Sequence, residues 1–291
     1  MSAAPAPHRA RAVLVEGEYA FTAEDFRRIA DLLKAQSGIH LAEAKASLVY
    51  SRLAKRLRAL GLRSFADYCA LVASPDGVEE RGAMLAALTT NVTRFYREPH
   101  HFDHLRDRVL RPMADAARAG ARVRIWSSAC STGQEPYSIA LTVLDVLPEA
   151  TRLNVRILAT DIDPIVVQTA RTGVYYSEAV SPITKWLRDR HLIRERDGEH
   201  WRVGEEARAL ITFNQLNLIG DWPMRGAFDV IFCRNVVIYF EEDTQNMIWS
   251  RFRSCLAPRG RLYVGHSERV DAQGFESDGL TVYRLANGVR A

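Results

Sequence analysis

The chain is poor in several features that would each point to a particular chemistry. Its 291 residues include four cysteines, Cys69, Cys130, Cys233 and Cys255, and no two form a CxxC pair. Redox-motif and structural-zinc readings lose their usual signature, and the thiols are expected to be reduced and structural. No stretch approaches the roughly 20 apolar residues needed to cross a bilayer. The N-terminal segment MSAAPAPHRARAVLVEGEY holds no apolar run of signal-peptide length, so a cytoplasmic location with no membrane insertion is expected. There is no internal repeat, and no low-complexity tract beyond the Ala/Pro/Arg-rich first 18 residues. Net charge is only +4, from 39 Lys plus Arg against 35 Asp plus Glu. That is too mild to imply a nucleic-acid partner, and none is expected. No His/Asp or Ser/His constellation of the kind that activates a nucleophile stands out, and no metal is expected.

What is present is the composition of an ordinary globular protein, 47% hydrophobic and 25% charged, with a length that suits two modest domains. The most informative stretch runs from Val123 to Asp163. An apolar run, 123–127, meets a small-residue turn, Ser128-Ala129-Cys130-Ser131-Thr132-Gly133. A helical pattern with Tyr137, Ile139, Ala140, Leu141, Val143, Leu144 and Leu147 follows, and a second apolar run, 155–159, ends near Asp161. Strand, turn, helix, strand and acid form one βαβ unit of a nucleotide-binding α/β sheet. The acid comes about 30 residues after the turn, somewhat beyond the spacing of the dinucleotide fingerprint. The turn has one glycine, Gly133, where that fingerprint has three. A pyrophosphate needs closer backbone approach than Ala129, Cys130 and Ser131 allow, which disfavours a nicotinamide enzyme. A nucleoside ligand without pyrophosphate, such as S-adenosylmethionine, tolerates these residues. Glu135 at the helix start is either a cofactor contact or a first-turn acid complementing the helix dipole. Asp161 is either a ribose ligand or a polar strand end. Asp163 before Pro164 reads as a helix cap with proline at the first helical position.

Before this unit, helical patterns cover 22–37, with Thr22 as the N-cap, and 42–60, 64–74 and 78–88. Residues 19–90 therefore read as an all-α domain after a flexible tail at 1–18. In the second pattern Ala46, Val49, Tyr50, Leu53, Leu57 and Leu60 form one apolar face. Arg52, Lys55 and Arg58 lie broadly opposite, with Arg56 at the edge, and no acid occurs between Lys45 and Asp67. Residues 91–120 form a polar and aromatic joint followed by a helix. An α/β domain at 121–291 carries strands at 211–218, 228–233, 261–265 and 281–285. It is interrupted at about 181–208 by a small antiparallel insertion with a hairpin at Asp197-Gly198.

Four segments together resemble the chemotaxis-receptor glutamate O-methyltransferase family of the CheR type. They are TTNVTRFYREPHHF (89–102), SSACSTGQEPYSIAL (127–141), ILATDIDPIVVQTARTGVY (157–175) and FDVIFCRNVVIYF (228–240), with APRGRLYVGHSE (257–268) extending the likeness. The resemblance covers about 21–285. It implies a helical N-terminal domain and a Rossmann-like domain that binds S-adenosylmethionine and transfers its methyl group to glutamate side chains of chemoreceptors. Carried over by motif, the implied cofactor contacts are Asn91, Thr93, Arg97, Glu135, Asp161, Asn217, Leu218, Arg234 and Asn235. Arg97 would orient the cofactor carboxylate or the substrate, and Tyr239 would lie near the transferred methyl. Without the resemblance, Asn91–Arg97 is a linker, Arg94 and Arg97 pair interface acids, Arg234-Asn235 is a polar strand end and Tyr239 is core.

The family's substrates are long helical receptor domains with acidic methylation sites, which gives Arg52, Lys55, Arg56 and Arg58 a use as a docking face; the alternative is a solvated charge run. Some relatives dock a receptor C-terminal tether on the insertion through a short glycine-rich loop. Here that loop, His191–His200, is longer and charged and has only Gly198, so docking independent of a tether is expected. Two other readings stand beside this one: a methyltransferase acting on another protein or a small molecule, and a non-catalytic adenosylmethionine-sensing module.

Overall fold

The computed structural model describes residues 12–271 and 274–286, which fall into two compact units, Met1–Thr90 and Asn91–Ala291. Of the expected flexible tail at 1–18, residues 1–11 lie outside the described residues. Its remainder departs from that expectation: β1 (Val13–Val15) pairs antiparallel with β2 (Phe21–Thr22).

Four helices make up the rest of the first unit: α1 (Ala23–Ser37), α2 (Ala46–Leu60), α3 (Phe65–Ala73) and α4 (Val78–Leu88). Local chemistry sets their ends. The Thr22 hydroxyl accepts from the Asp25 N–H while the Asp25 carboxylate reaches back to the Thr22 N–H, a capping box. Gly38 and Gly61 close α1 and α2 with the left-handed φ that favours glycine. Phe26, Ile29, Leu33, Val49, Leu53, Leu57, Phe65, Tyr68 and Met84 fill the core. Leu60, expected on the apolar face of α2, is 41% exposed, and the smaller Ala54 is buried instead. The last turn of a helix projects past the core it packs on, so the apolar period ends one step early.

The second unit begins with the loop 91–99, then α5 (His100–His104), six residues of π-helix at Leu105–Leu110 and α6 (Arg111–Arg118). Phe95, Phe102, Leu105 and Val109 belong to the main hydrophobic core of this unit. The alternation continues as β3 (Val123–Ser127), α7 (Gln134–Val146), β4 (Val155–Asp161), α8 (Pro164–Thr172), β5 (Val174–Tyr176), α9 (Lys185–His191), β6 (Leu192–Arg194), β7 (His200–Val203) and α10 (Glu205–Ala209). It closes with β8 (Ile211–Gln215), β9 (Phe228–Cys233), α11 (Glu242–Cys255), β10 (Leu256–Val264), β11 (Phe275–Gly279) and β12 (Val282–Leu285).

The seven-stranded sheet has the order β11-β12-β10-β9-β3-β4-β8. Strands β8, β4, β3, β9 and β10 run parallel, while β12 and β11 are antiparallel. The chain moves outward from β3 through β4 to β8, then returns to the other side of β3 as β9. That reversal is the topological switch point, where open α/β sheets leave a crevice beyond the carboxyl ends of their strands.

Three sequence expectations shift. The strand expected at 211–218 stops at Gln215, leaving Asn217 and Leu218 in a loop. Strand β11 has no strand signal in the sequence, because FESDG carries little β propensity and is held by pairing with β12. The antiparallel insertion is a three-stranded sheet of order β5-β7-β6, so it starts at Val174 rather than near 181.

Candidate active site

The turn after β3 is built by backbone hydrogen bonds to neighbouring strands. The Ser128 N–H donates to the Phe232 carbonyl at 2.9 Å and the Cys130 N–H to the Thr160 carbonyl at 2.8 Å. Gly133 ends the turn at φ +98°, and a Cβ there would lie 2.6 Å from the Tyr175 hydroxyl. Only glycine fits, because Tyr175 of β5 crosses over the turn and donates to the Thr132 carbonyl at 2.7 Å. The single glycine of the motif is thus there for packing against the insertion as well as for its left-handed backbone.

Asp161 ends β4 and is buried. Its Oδ2 accepts from the Ser131 N–H at 2.8 Å and its Oδ1 from the Asp163 N–H at 3.1 Å. Burial raises its pKa against the lowering effect of those N–H groups. A carboxylate offers about four lone-pair positions, so these N–H groups do not exhaust its capacity to accept. Asn91 is brought to the same place: its Nδ2 donates to Asp163 Oδ2 at 3.0 Å, and its carbonyl accepts from the Ser131 hydroxyl at 2.9 Å. Asp163 caps α8 as expected, accepting from the Ile165 N–H at 2.8 Å. Ser131, held at φ +47°, links these groups; its type gave no signal in the sequence beyond its place in the turn.

Glu135 and Arg234 meet. Arg234 Nη1 is 3.0 Å from Glu135 Oε2, while the Ser127 hydroxyl donates to Glu135 Oε1 at 2.8 Å. Arg234 also lies 3.3 Å from Glu98 Oε2 and donates to the Arg97 carbonyl. Two residues expected to hold the cofactor independently therefore form one buried network first. Burial raises the Glu135 pKa and the Arg234 charge opposes that rise. Burial also acts to raise Glu98, but the hydrogen bond from His266 and the charge of Arg234 outweigh it and hold the carboxyl down to about 2. Arg234 Nε is buried with no acceptor among the described residues.

The other expected residues fall as follows. Thr93 and Arg97 are half-buried on the 91–99 loop, and Arg97 Nη1 folds back to the Val92 carbonyl at 3.0 Å. Asn217 turns its own loop, its Oδ1 accepting from the Ile219 N–H at 3.1 Å. Leu218 is buried, and its carbonyl accepts from Arg251 Nη1 and Trp222 Nε1. Asn235 follows β9 at φ +59°, and Tyr239 is half-buried on the short turn Val237–Tyr239.

Glu98, His100 and His101 bring three metal-ligand atoms within 4.8 Å of one another. The Glu98 oxygen that faces His101 is the one beside the Arg234 guanidinium. After burial, that same charge is the main reason the His101 pKa falls to about 3. A cation in this position would meet an arginine that already serves its acid, so the donor set does not fit a metal well.

The basic face on α2 needs correction. Arg52 Nη1 donates to the carbonyls of Ala87, Leu88 and Thr89 at 3.2, 3.0 and 2.8 Å. Arg56 forms a two-pronged pair with the buried Glu80 at 3.0 and 2.6 Å, and Arg58 pairs with Glu18 at 2.9 Å. Acids distant in sequence supply the compensation missing between 45 and 67. Lys55 and Arg58 are the exposed cations of the four.

A mostly parallel sheet with a small-residue turn after β3, a buried acid at the end of β4 and a buried Glu–Arg pair at the switch point is the architecture of an S-adenosylmethionine-dependent methyltransferase. A family model described as CheR methyltransferase, SAM binding domain, matches residues 91–283, and one described as CheR methyltransferase, all-alpha domain, matches 24–89. The chain belongs to the CheR methyltransferase family. It is 51% identical over 258 residues to a probable chemotaxis protein methyltransferase of Rhizobium etli, covering 87% of this chain and 96% of that protein. It is 43% identical to chemotaxis protein methyltransferase 2 of Pseudomonas aeruginosa (92% and 95% covered). It is 42% identical to the chemotaxis protein methyltransferase of Escherichia coli (90% of each).

Proposed function

We propose that this enzyme methylates glutamate side chains of a chemoreceptor cytoplasmic domain, using S-adenosylmethionine and releasing S-adenosylhomocysteine, and that it acts in the cytoplasm without a metal ion or a nucleic-acid partner. The observation that carries the reading is the cofactor-type constellation Asn91–Ser131–Asp161 beside Glu135–Arg234. The names of the relatives, all chemotaxis methyltransferases, support the substrate class.

The bound cofactor supplies an electrophilic methyl group on a sulfonium. A glutamate with an ordinary pKa near 4.3 is already ionised at pH 7, so its carboxylate attacks without a general base. The protein's work is alignment and water exclusion, which can lower a barrier by several kcal/mol. In this reading Asp161 holds the ribose. Asn91, Thr93, Asn217, Leu218 and Asn235 frame the nucleoside, and Glu135 with Arg234 receives the amino-acid end. Arg97 orients the cofactor carboxylate or the incoming glutamate. Tyr239 stands at the methyl. Anion and cation combine into two neutral products, a change that a dry site favours. The direct test is transfer of labelled methyl from S-adenosylmethionine to purified receptor, read as a base-labile ester. No transfer alongside tight S-adenosylhomocysteine binding would favour a sensing module over an enzyme.

Receptor docking is assigned to the α2 surface, with Lys55 and Arg58 as its contacts and Arg52 and Arg56 as their support. Charge reversal at Lys55 and Arg58 should raise the KM for receptor and leave cofactor affinity unchanged. Equal receptor methylation by the double variant removes the assignment. Docking is proposed to be independent of a receptor tether. The 195–199 loop spends its polar groups on itself: Asp197 Oδ1 accepts from the Glu199 and His200 N–H groups, and Arg194 donates to the Gly198 carbonyl. Micromolar binding of a C-terminal tether peptide in calorimetry would overturn this.

A further inference from the structure

The loop that carries Asn235 and Tyr239 is held by a residue that is not among the implied cofactor contacts. Glu268 is 4% exposed and lies in the GHSE segment after β10. Its Oε2 accepts from the N–H groups of Asn235 at 2.8 Å and Gly265 at 2.6 Å. Its Oε1 accepts from Val236 at 2.8 Å and Val237 at 2.7 Å. Four donors meet the four lone-pair positions of one carboxylate, the full capacity of that group. Charge-assisted bonds of this kind are about twice as strong as neutral ones. Asn235 sits at φ +59°, a left-handed conformation that asparagine adopts more readily than most residues, and the carboxylate bonded to its N–H and to the next two holds it there. The Asn235 side chain also lies against the bare face of Gly265, where a Cβ would stand 2.4 Å from its Nδ2.

We propose that Glu268 is a positioning residue for the cofactor: its carboxylate fixes the backbone of 235–237, sets the direction of the Asn235 carboxamide and anchors the turn that carries Tyr239. The inference rests on the reading of Asn235 as a cofactor contact. A glutamine cannot replace the glutamate, since its amide nitrogen would face two N–H donors. An aspartate keeps the charge but is one methylene too short to serve both pairs.

The test is calorimetric titration of S-adenosylhomocysteine into the full chain and its variants, which reports affinity and the binding-competent fraction separately. Asn235→Ala is expected to weaken binding at least tenfold; an unchanged affinity removes Asn235 from the site and the inference with it. Given that loss, Glu268→Gln is expected to weaken binding at least tenfold with stoichiometry near one, and Glu268→Asp to fall between it and the parent. A merely structural role would instead lower the stoichiometry and leave the affinity of the folded molecules as it was. That outcome, or affinity within threefold of the parent, overturns the proposal. Should Glu268→Gln fail to fold, Glu268→Asp decides on the same two readings.

Discussion

Arg234 shows how one side chain can hold a site together before any ligand arrives. It is buried between two carboxylates, Glu135 and Glu98. Replacing it with methionine would leave both acids unpaired in a low-dielectric place. Breaking a buried pair in this way costs about 3–5 kcal/mol, so Arg234→Met should lower the urea midpoint sharply and abolish measurable S-adenosylhomocysteine binding. A stability within about 1 kcal/mol of the parent would show that the acids find other partners. His101 gives a pH-dependent signal. It is fully buried with Nε2 2.8 Å from the Thr281 hydroxyl, and burial together with the Arg234 charge lowers its pKa to about 3. Between an unfolded value near 6.5 and that folded value, the unfolded chain binds the proton and the native chain does not. Stability from neutral His101 is therefore full above about pH 6.5 and is lost on acidification toward 3. Glu98, held at about 2, loses its share in the same direction at lower pH, whereas Glu135 and Asp161, both raised, act oppositely. Comparing His101→Gln with the parent reports the histidine together with its effect on the neighbouring Glu98. The stability gap seen at about pH 7.5 should close on acidification, by at most about 1.4 kcal/mol per pH unit. A gap that stays constant down to about pH 4.5 in urea titrations would contradict the shift.

Among the elements, α2 and α4 illustrate why a charge pattern misleads. The run without acids from 46 to 66 looks like a free basic face. In the folded unit Arg52 instead caps α4, donating to three of the carbonyls that a helix end leaves without partners. Arg52→Ala should destabilise the protein by about 1.5–3 kcal/mol, the range for hydrogen bonds made by a charged donor. Lys55→Ala should change stability by less than about 0.5 kcal/mol. Thermal melts of the two variants give the comparison, and equal melting temperatures would return Arg52 to the docking face. The turn between β3 and α7 behaves similarly. Its single glycine was legible as a departure from the dinucleotide pattern; why it stands at 133 was not, since the reason is Tyr175, 42 positions away. Gly133→Ala combines backbone strain with a contact at 2.6 Å and should cost both stability and cofactor affinity.

At the scale of the whole molecule, ligand binding should stabilise the fold by mass action. At about a hundred times its dissociation constant, S-adenosylhomocysteine should add about 2.7 kcal/mol and raise the melting temperature, whereas NAD at the same concentration should not. Stabilisation by NAD would contradict the nucleoside reading of the turn.

The local pattern of residues was enough for the order of most elements, the caps at Thr22 and Asp163 and the βαβ unit. Those features depend on hydrophobic period, turn chemistry and chain order, all of them short-range properties. Helix α2 kept its apolar stripe except at its last turn, and the parallel strands kept their apolar runs. Only the tertiary structure decided which charges are free. Glu80 for Arg56, Glu98 and Glu135 for Arg234, and Glu268 for the backbone at 235–237 are pairings across tens of residues. The energy of a charge is set by its burial and its nearest partner, and neither can be read along one chain.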